Sequence, residues 1–343
     1  MCEDNLPTPT IPDPGKHFKT VLWTGDGKNG RSITDVGFKP DLVWIKPRNF
    51  SDNHVIFDSI TKTALYGNSN GTGNNGRVMW GYDSSGFSIE GWNNLNDPED
   101  KYVAWCWKAN GEQTVVNNDG SITSQVSVNQ TAGFSIVKFT GDGGASSTVG
   151  HGLSKAPSFI ISKNRDNTYG WAIYHKSTQN TGSSATDVVY LNENIVGNAD
   201  NIRSVNDTTF APTSWGGVNQ STKTYINYCW TELEGFSRFS SYVGNGNNDG
   251  SFVYCGFRPA YVIIKNVSGT GEWCIWDSSR NPYNEMQDAV RANSDDGDVD
   301  GFQFDFLSNG FKARDTESSV NGDGNRYIFA AFAESPFQTA NAK

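Results

Sequence analysis

The chain has 343 residues, a formal net charge of −10 and a pI of about 4.9. Such an acidic chain repels phosphate backbones, and its apolar runs are far shorter than the roughly 20 residues that cross a bilayer. We therefore expect neither nucleic-acid binding nor membrane insertion. The 37 Gly, 12 Pro, 11 Trp, 13 Tyr and 20 Phe predict many turns and short strands with ring-rich cores.

The cysteines number five and include no CxxC pair, which argues against a disulfide framework or a zinc site. We expect Cys106 and Cys229 to be small buried hydrophobic residues. The N-terminal residues lack a basic region followed by an apolar segment, so no secretory signal is predicted and we expect assembly in a cytoplasm.

Two motifs recur three times along the chain. The turn at 24–27 (TGDG) returns at 140–143 (TGDG) and 243–246 (VGNG), each time after an apolar segment. Asp-Gly and Asn-Gly tolerate positive φ, so each turn predicts a β-hairpin. The segment at 40–46 (PDLVWIK) returns at 157–163 (PSFIISK) and 259–265 (PAYVIIK). It predicts a buried strand that starts at proline and ends at a solvated lysine.

A third motif closes each copy: 102–107 (YVAWCW), 225–230 (YINYCW) and 327–332 (YIFAAF). Large rings alternate with small residues, which predicts a core strand whose inner face packs on a second sheet. The recurrence predicts an all-β chain of three tandem β-sandwich, jelly-roll-like repeats of about 100 residues. The expected segments are an extended Pro-rich arm (1–17), repeat 1 (18–109), a linker with one strand (110–132), repeat 2 (133–234) and repeat 3 (235–343).

These motifs resemble a repeat domain of structural and tail-fibre-like proteins of marine phages that infect cyanobacteria and abundant ocean bacteria. The similar stretches include FKTVLWTGDGKNGRSITDVGFKPDLVWIKPR at 18–48, KYVAWCWKANG at 101–111 and the ending FAAFAESPFQTANAK. The resemblance extends over nearly the whole chain after the arm. It implies a virion protein assembled in the host cytoplasm, and it supplies no functional residues.

Three functions follow from the resemblance as hypotheses. The first is a non-enzymatic tail fibre or adhesin component that attaches the particle to a host glycan or protein. The second is a capsid decoration or head fibre protein with purely virion partners, contacted through the arm at 1–17. The third is a glycan-cleaving tail enzyme, but no catalytic motif supports it, so we predict no enzyme. By analogy with fibres, a homotrimer is expected.

Two groups of residues are candidate sites. The run 296–301 (DGDVDG) matches the first half of a calcium-binding loop, so Asp296, Asp298 and Asp300 are candidate calcium ligands, although Leu307 stands where the bidentate Glu is expected. A solvated acidic loop is the alternative. Trp80, Tyr82 and Trp92 lie in Gly- and Asn-rich stretches, where exposed rings would stack on sugars. Their alternative role is to extend the core.

Overall fold

The computed structural model describes residues 10–73, 79, 81–91, 95–178, 188–197, 201–333 and 335. Among the described residues, strands make up 42% and helices 2%, which confirms the predicted all-β sandwich fold. Among the described residues, no helix has the length and apolarity that a membrane crossing requires.

Repeat 1 is a sandwich of two antiparallel sheets. Its strands are β1 (Phe18–Thr24), β2 (Arg31–Ile33), β3 (Leu42–Pro47), β4 (Val55–Asp58), β5 (Leu65–Tyr66), β6 (Gly81–Asp83), β7 (Gly86–Ile89) and β8 (Lys101–Trp107). The inner sheet has the order β1-β8-β3-β4-β5, and the outer sheet has the order β2-β7-β6.

The same order returns in the other two repeats. Repeat 2 contains β11 (Phe134–Thr140), β12 (Val149–Gly150), β13 (Phe159–Asn164), β14 (Ala172–His175), β15 (Val188–Tyr190), β16 (Val196–Gly197), β17 (Ile202–Val205), β18 (Thr209–Pro212), helix α1 (Gly216–Asn219) and β19 (Thr224–Trp230). Repeat 3 contains β20 (Ser237–Val243), β21 (Phe252–Tyr254), β22 (Tyr261–Asn266), β23 (Trp273–Asp277), β24 (Val290–Arg291), β25 (Phe304–Leu307), β26 (Gly310–Ala313) and β27 (Arg326–Phe332). Its inner sheet is β20-β27-β22-β23-β24 and its outer sheet is β21-β26-β25.

The segment expected as a linker extends the inner sheet of repeat 2. It forms β9 (Val115–Asn117) and β10 (Ser124–Asn129), and the sheet order is β16-β15-β14-β13-β19-β11-β10-β9. It thus holds two strands where one was expected, and β10 pairs with β11 over six residue pairs.

The three inner sheets are buried on both faces. One face of each packs on its own outer sheet and forms a separate core in each repeat. The other faces meet in one central core, to which Trp105 of repeat 1, Tyr228 of repeat 2 and Phe332 of repeat 3 all belong. The repeats therefore surround a common pseudo-threefold axis, and each supplies one wall of the central core.

The closing strand of each repeat shows why both faces are buried. In β8, Tyr102, Ala104 and Cys106 pack on the outer sheet, whereas Val103 and Trp105 point into the central core. The sequence prediction of one inner face was therefore incomplete. Cys106 and Cys229 are buried free thiols, and burial raises their pKa above the usual value.

A small cavity of about 20 Å³ remains in the central core. Its lining is apolar and comes from all three repeats, for example Trp44, Ile161 and Ala330. The strand pairing shows that Ala330 is equivalent to Trp105 and Tyr228, because their partners on the neighbouring strand are Ile263, Trp44 and Ile161, respectively. Repeat 3 thus has the small side chain of Ala330 where the other two repeats have a ring. An apolar cavity of this size stays empty of water.

The recurrent Gly-rich turn does not form the predicted hairpin. β1 pairs with β8 in the inner sheet, and β2 pairs with β7 in the outer sheet, so the turn carries the chain from one sheet to the other. Gly27 has the expected positive φ of 69°. A buried Asn fixes the turn: Asn96 Nδ2 donates to Asp26 Oδ1 at 2.7 Å, and Asn219 and Asn321 do the same for Asp142 and Asn245.

The strand-end lysines are buried, which corrects the prediction that they are solvated. Lys46, Lys163 and Lys265 are each 0% exposed and cross to a neighbouring repeat. Their Nζ atoms donate to the backbone oxygens of Asp295 (3.1 Å), Asn70 (2.9 Å) and Glu193 (3.3 Å), respectively. Burial lowers the pKa of each lysine to about 8.

Near these lysines, ring nitrogens make a second set of contacts, one at each of the three interfaces between repeats. His54, Trp171 and Trp273 occupy equivalent positions before or at the start of β4, β14 and β23. Their ring nitrogens bond to the backbone oxygens of Arg291 (3.0 Å), Tyr66 (2.9 Å) and Tyr190 (2.8 Å), each in a neighbouring repeat. Every repeat is therefore both donor and acceptor in the ring of three interfaces.

A third set of contacts lies at the opposite end of the inner sheets. Tyr228 Oη donates to Asp58 Oδ2 at 3.1 Å, and Trp105 Nε1 donates to Asp277 Oδ2 at 3.1 Å. At the third interface the ring donor is absent, because Ala330 takes its place. His175 stands at the Asp position there, and its Nε2 bonds to the backbone oxygen of Phe329 at 3.0 Å.

The part of the arm that the structure describes packs on the body of the chain. Ile11 is 2% exposed and belongs to the central core, and Pro14–Lys16 forms a 3-10 turn. His17 bonds through its Nδ1 to Asn129 Nδ2 at 3.0 Å. Residues 10–17 thus order on their own chain, and residues 1–9 lie outside the described residues.

Two ends of the body can be defined from these strands. Phe18 at the start of β1 stacks on Phe332 at the end of β27, with ring centroids 5.3 Å apart, and Ile11 lies in the same core. We call this end the terminal end. The buried lysines, the Gly-rich turns and the segments that follow β5, β15 and β24 lie at the other end of the inner sheets, the loop end.

The neutral histidines predict a loss of stability in acid. His54 and His175 each accept a hydrogen bond at Nδ1, from Trp44 Nε1 and from the Ser177 N–H, so the ring must stay neutral. Burial lowers the pKa of both, that of His175 to about 3. The unfolded chain takes up protons below about pH 6.5, so both histidines should lower the unfolding free energy as the pH falls from 6.5 to 5. For His175 the loss should be about 2 kcal/mol.

Urea unfolding at several pH values measures this loss. A double variant, His54→Trp with His175→Gln, retains N–H donors at both positions but cannot titrate. It should show a smaller slope of stability against pH between 6.5 and 5. Part of the slope should remain, because burial also lowers the pKa of His151, whose Nδ1 accepts from the Leu153 N–H. An unchanged slope in the double variant would show that the histidines are not responsible.

Candidate functional site at the loop end of repeat 3

A cleft of about 440 Å³ lies at the loop end of repeat 3. This volume is within the range of small-molecule sites. Its walls come from the segment before β23, from β24, from the turn before β25 and from the segment after β26. They include Glu272, Arg291, Asp300, Phe302, Glu317 and Ser318.

Each wall residue is held by contacts with its neighbours. The guanidinium of Arg291 lies 5.3 Å from the ring centroid of Phe302. Glu272 accepts a hydrogen bond from Asn293 Nδ2, and Glu317 Oε1 accepts from Ser319 Oγ at 3.4 Å. The cleft therefore has an ordered polar lining with three carboxylates and one guanidinium.

The predicted calcium ligands are placed differently. Among the described residues no group of three or more His, Cys, Asp or Glu could hold a metal ion, so Asp296, Asp298 and Asp300 do not form a ligand set. Asp298 Oδ2 accepts from Arg48 Nε at 2.8 Å, and its Oδ1 accepts from Arg280 Nη1 at 3.0 Å. Asp298 is thus an ion-pair partner between repeats 1 and 3.

The other two aspartates lie on either side of this ion pair. Asp296 Oδ2 accepts from Ser294 Oγ at 2.7 Å, and Asp300 lines the cleft. Burial raises the pKa of Asp288, and the nearby carboxylates of Asp298 and Asp300 raise it further. The spacing in the sequence is that of a calcium loop, but the side chains point to different partners.

Tyr82, one of the three predicted sugar-stacking rings, does not line the cleft. Tyr82 lies on β6, is partly buried and packs against the core of repeat 1. Its hydroxyl is buried without a hydrogen-bond partner in the described part of the chain, and burial raises its pKa. Tyr82 therefore extends the core, which was the alternative. Trp80 and Trp92 lie outside the described residues.

Apart from Asp300, which was predicted as a calcium ligand, sequence reasoning did not find the cleft residues, because they are spread over four segments between 270 and 319. The signal that could have found them is the alignment of the repeats. At these positions repeat 3 departs from repeat 2 in residue type, although the surrounding motifs agree.

These features define the class of the protein: a single-chain, all-β body with three sandwiches around a pseudo-threefold axis and an acidic cleft at one end. The chain belongs to the family described as a domain of unknown function, DUF7483, whose model matches residues 13–336. The match includes all three repeats. No curated protein and no solved structure matches the chain.

The buried ion pair gives a test that separates its role from calcium binding. Asp298→Asn removes one of two carboxylates that face Arg280, whose side chain is 0% exposed. Loss of one partner of a buried pair should lower the unfolding free energy by about 3 kcal/mol. Urea unfolding with and without a chelator measures it.

We expect the chelator to change neither the wild-type chain nor the variant. The matched control is Asp300→Asn, which removes a carboxylate near Asp288 and should change stability by less than about 0.5 kcal/mol. A wild-type stability that falls on addition of the chelator would instead support the calcium hypothesis.

Proposed function

We propose that the protein is a non-enzymatic structural component of a phage virion, in a tail fibre or adhesin that attaches the particle to its host. The proposal combines the resemblance of the sequence motifs with the polarity of the body. Near the two ends of the described chain, Ile11 packs in the central core and the Ala333 N–H donates to the backbone oxygen of Phe236, both at the terminal end. A body held by that end would present the loop end, with its cleft, to the surroundings.

The rigidity of the body supports this role. A shared core and three sets of cyclic contacts join the repeats, so force or binding at one end is transmitted through packed sheets. The core on the axis is already filled by the three repeats of one chain. A homotrimer, proposed by analogy, would therefore form through outer surfaces.

Partners at the terminal end remain part of the proposal. Residues 10–17 already contact their own chain, so contact with other virion proteins would use residues 1–9 or the surface around the terminal end. Host glycan or protein is the proposed partner at the loop end.

Labelling at the two ends tests the proposal. In a chain with Cys2→Ser, whose other four cysteines are buried, Lys155→Cys places a thiol near the terminal end and Asn248→Cys places one at the loop end. In intact particles a maleimide-gold label should react at position 248 and be blocked at position 155. Electron microscopy should then show the label at the tail periphery.

Other results would contradict the proposal in different ways. Label on the head surface would support capsid decoration in place of attachment. A protein made in infected cells but absent from purified particles would contradict both virion roles. The isolated, folded variants should react equally at both positions, which controls for intrinsic accessibility.

A further inference from the structure

The cleft of repeat 3 corresponds to a filled position in repeat 2. There Trp215 packs between two tyrosines, with ring centroids 5.3 Å from Tyr169 and 5.8 Å from Tyr190. In repeat 2 this three-ring group fills the space that corresponds to the cleft of repeat 3.

Hydrogen bonds establish which residues correspond. The N–H groups of Val218 and Asn219 donate to the backbone oxygen of Trp215. Those of Val320 and Asn321 donate to the backbone oxygen of Glu317 in the same pattern. Asn219 and Asn321 also hold equivalent turns, so Glu317 stands at the position of Trp215.

The two tyrosines are replaced as well. Lys163 donates to the backbone oxygen of Tyr169, and Lys265 donates to that of Gly271. Tyr190 and Arg291 occupy the same register, opposite Ala172 and Cys274. Repeat 3 therefore has a carboxylate, a glycine and a guanidinium where repeat 2 has three packed rings. The space that these rings fill in repeat 2 is open in repeat 3.

The substituted residues give the opening a hydrogen-bonding character. Glu272 uses Oε2 for Asn293, and Glu317 uses Oε1 for Ser319, so the second oxygen of each carboxylate has no partner among the described residues. Arg291 has a buried Nε that also lacks one. Three carboxylates against one guanidinium disfavour an anionic ligand and favour a ligand rich in hydroxyl donors.

We infer that this cleft binds a neutral, hydroxyl-rich sugar unit, which deepens the proposed attachment function by giving the class of ligand at the loop end. A volume of about 440 Å³ admits one or two sugar rings. Carboxylate oxygens accept hydrogen bonds from adjacent hydroxyls, and the Arg291 guanidinium donates to hydroxyl and ring oxygens.

Saturation-transfer NMR with the purified full chain tests the inference. The probes are glucose, galactose, mannose and N-acetylglucosamine, each up to 20 mM (about the range needed for millimolar Kd values). We expect at least one probe to bind, and Glu317→Trp, which restores the ring of repeat 2, to weaken that binding at least tenfold. Glu272→Gln keeps the size of the side chain and should weaken it several-fold.

Asp323→Asn is the matched control, because Asp323 is an exposed acidic residue of repeat 3 that does not line the cleft. It should leave binding unchanged. Absence of binding by every probe, or equal binding by wild type, Glu317→Trp and Glu272→Gln, would overturn the inference. If Glu317→Trp unfolds, the result with Glu272→Gln decides.

Competition for host adsorption separates this inference from the attachment function. If the wild-type chain blocks adsorption and a folded Glu317→Trp chain blocks it equally well, attachment stands and the cleft inference is wrong. If a sugar binds in the cleft but neither chain blocks adsorption, the cleft inference stands and the attachment function is wrong.

Discussion

The burial of both faces of every inner sheet is the constraint on which the rest of the structure depends. An outer sheet of three strands covers only one face of its inner sheet, so a single repeat would expose the residues that form the central core. These residues include Trp44, Trp105 and Trp230. Exposure of such rings to water is costly, at roughly 25 cal/mol for each Å² of apolar surface. Three repeats close the core because each inner sheet covers part of the other two.

The polar contacts give this packing its register. Apolar rings tolerate small shifts, whereas a buried Lys or His needs its acceptor at a fixed position. Lys46, Lys163 and Lys265 fix the loop end, and Asp58, Asp277 and His175 fix the other. At two interfaces a ring donor bonds to an Asp, whereas the third interface has Ala330 in place of the ring and His175 in place of the Asp. Both partners differ there, and the interface still has a hydrogen bond, from His175 to the backbone oxygen of Phe329.

The all-β class and the strand motifs could be predicted because ring-rich alternation and turn residues are local signals. The role of the lysine in the Pro-to-Lys motif could not, because it depends on acceptors in another repeat, such as Asp295 for Lys46. The hairpin prediction was wrong because the turn also depends on a distant residue: Asn96, which holds the turn at Asp26, lies 70 residues away in the same repeat. Apart from Asp300, the cleft residues belong to no local motif, and their difference from repeat 2 is visible only after the repeats are aligned.

Differential scanning calorimetry of the full chain tests most directly whether the three repeats form one body. The account predicts a single transition, with a calorimetric enthalpy about equal to the van't Hoff enthalpy, because no repeat retains the shared central core after the others unfold. Trp105→Ala in repeat 1 should move that single transition to lower temperature without splitting it. Separate transitions, of which only one responds to the substitution, would show independent repeats and contradict the account.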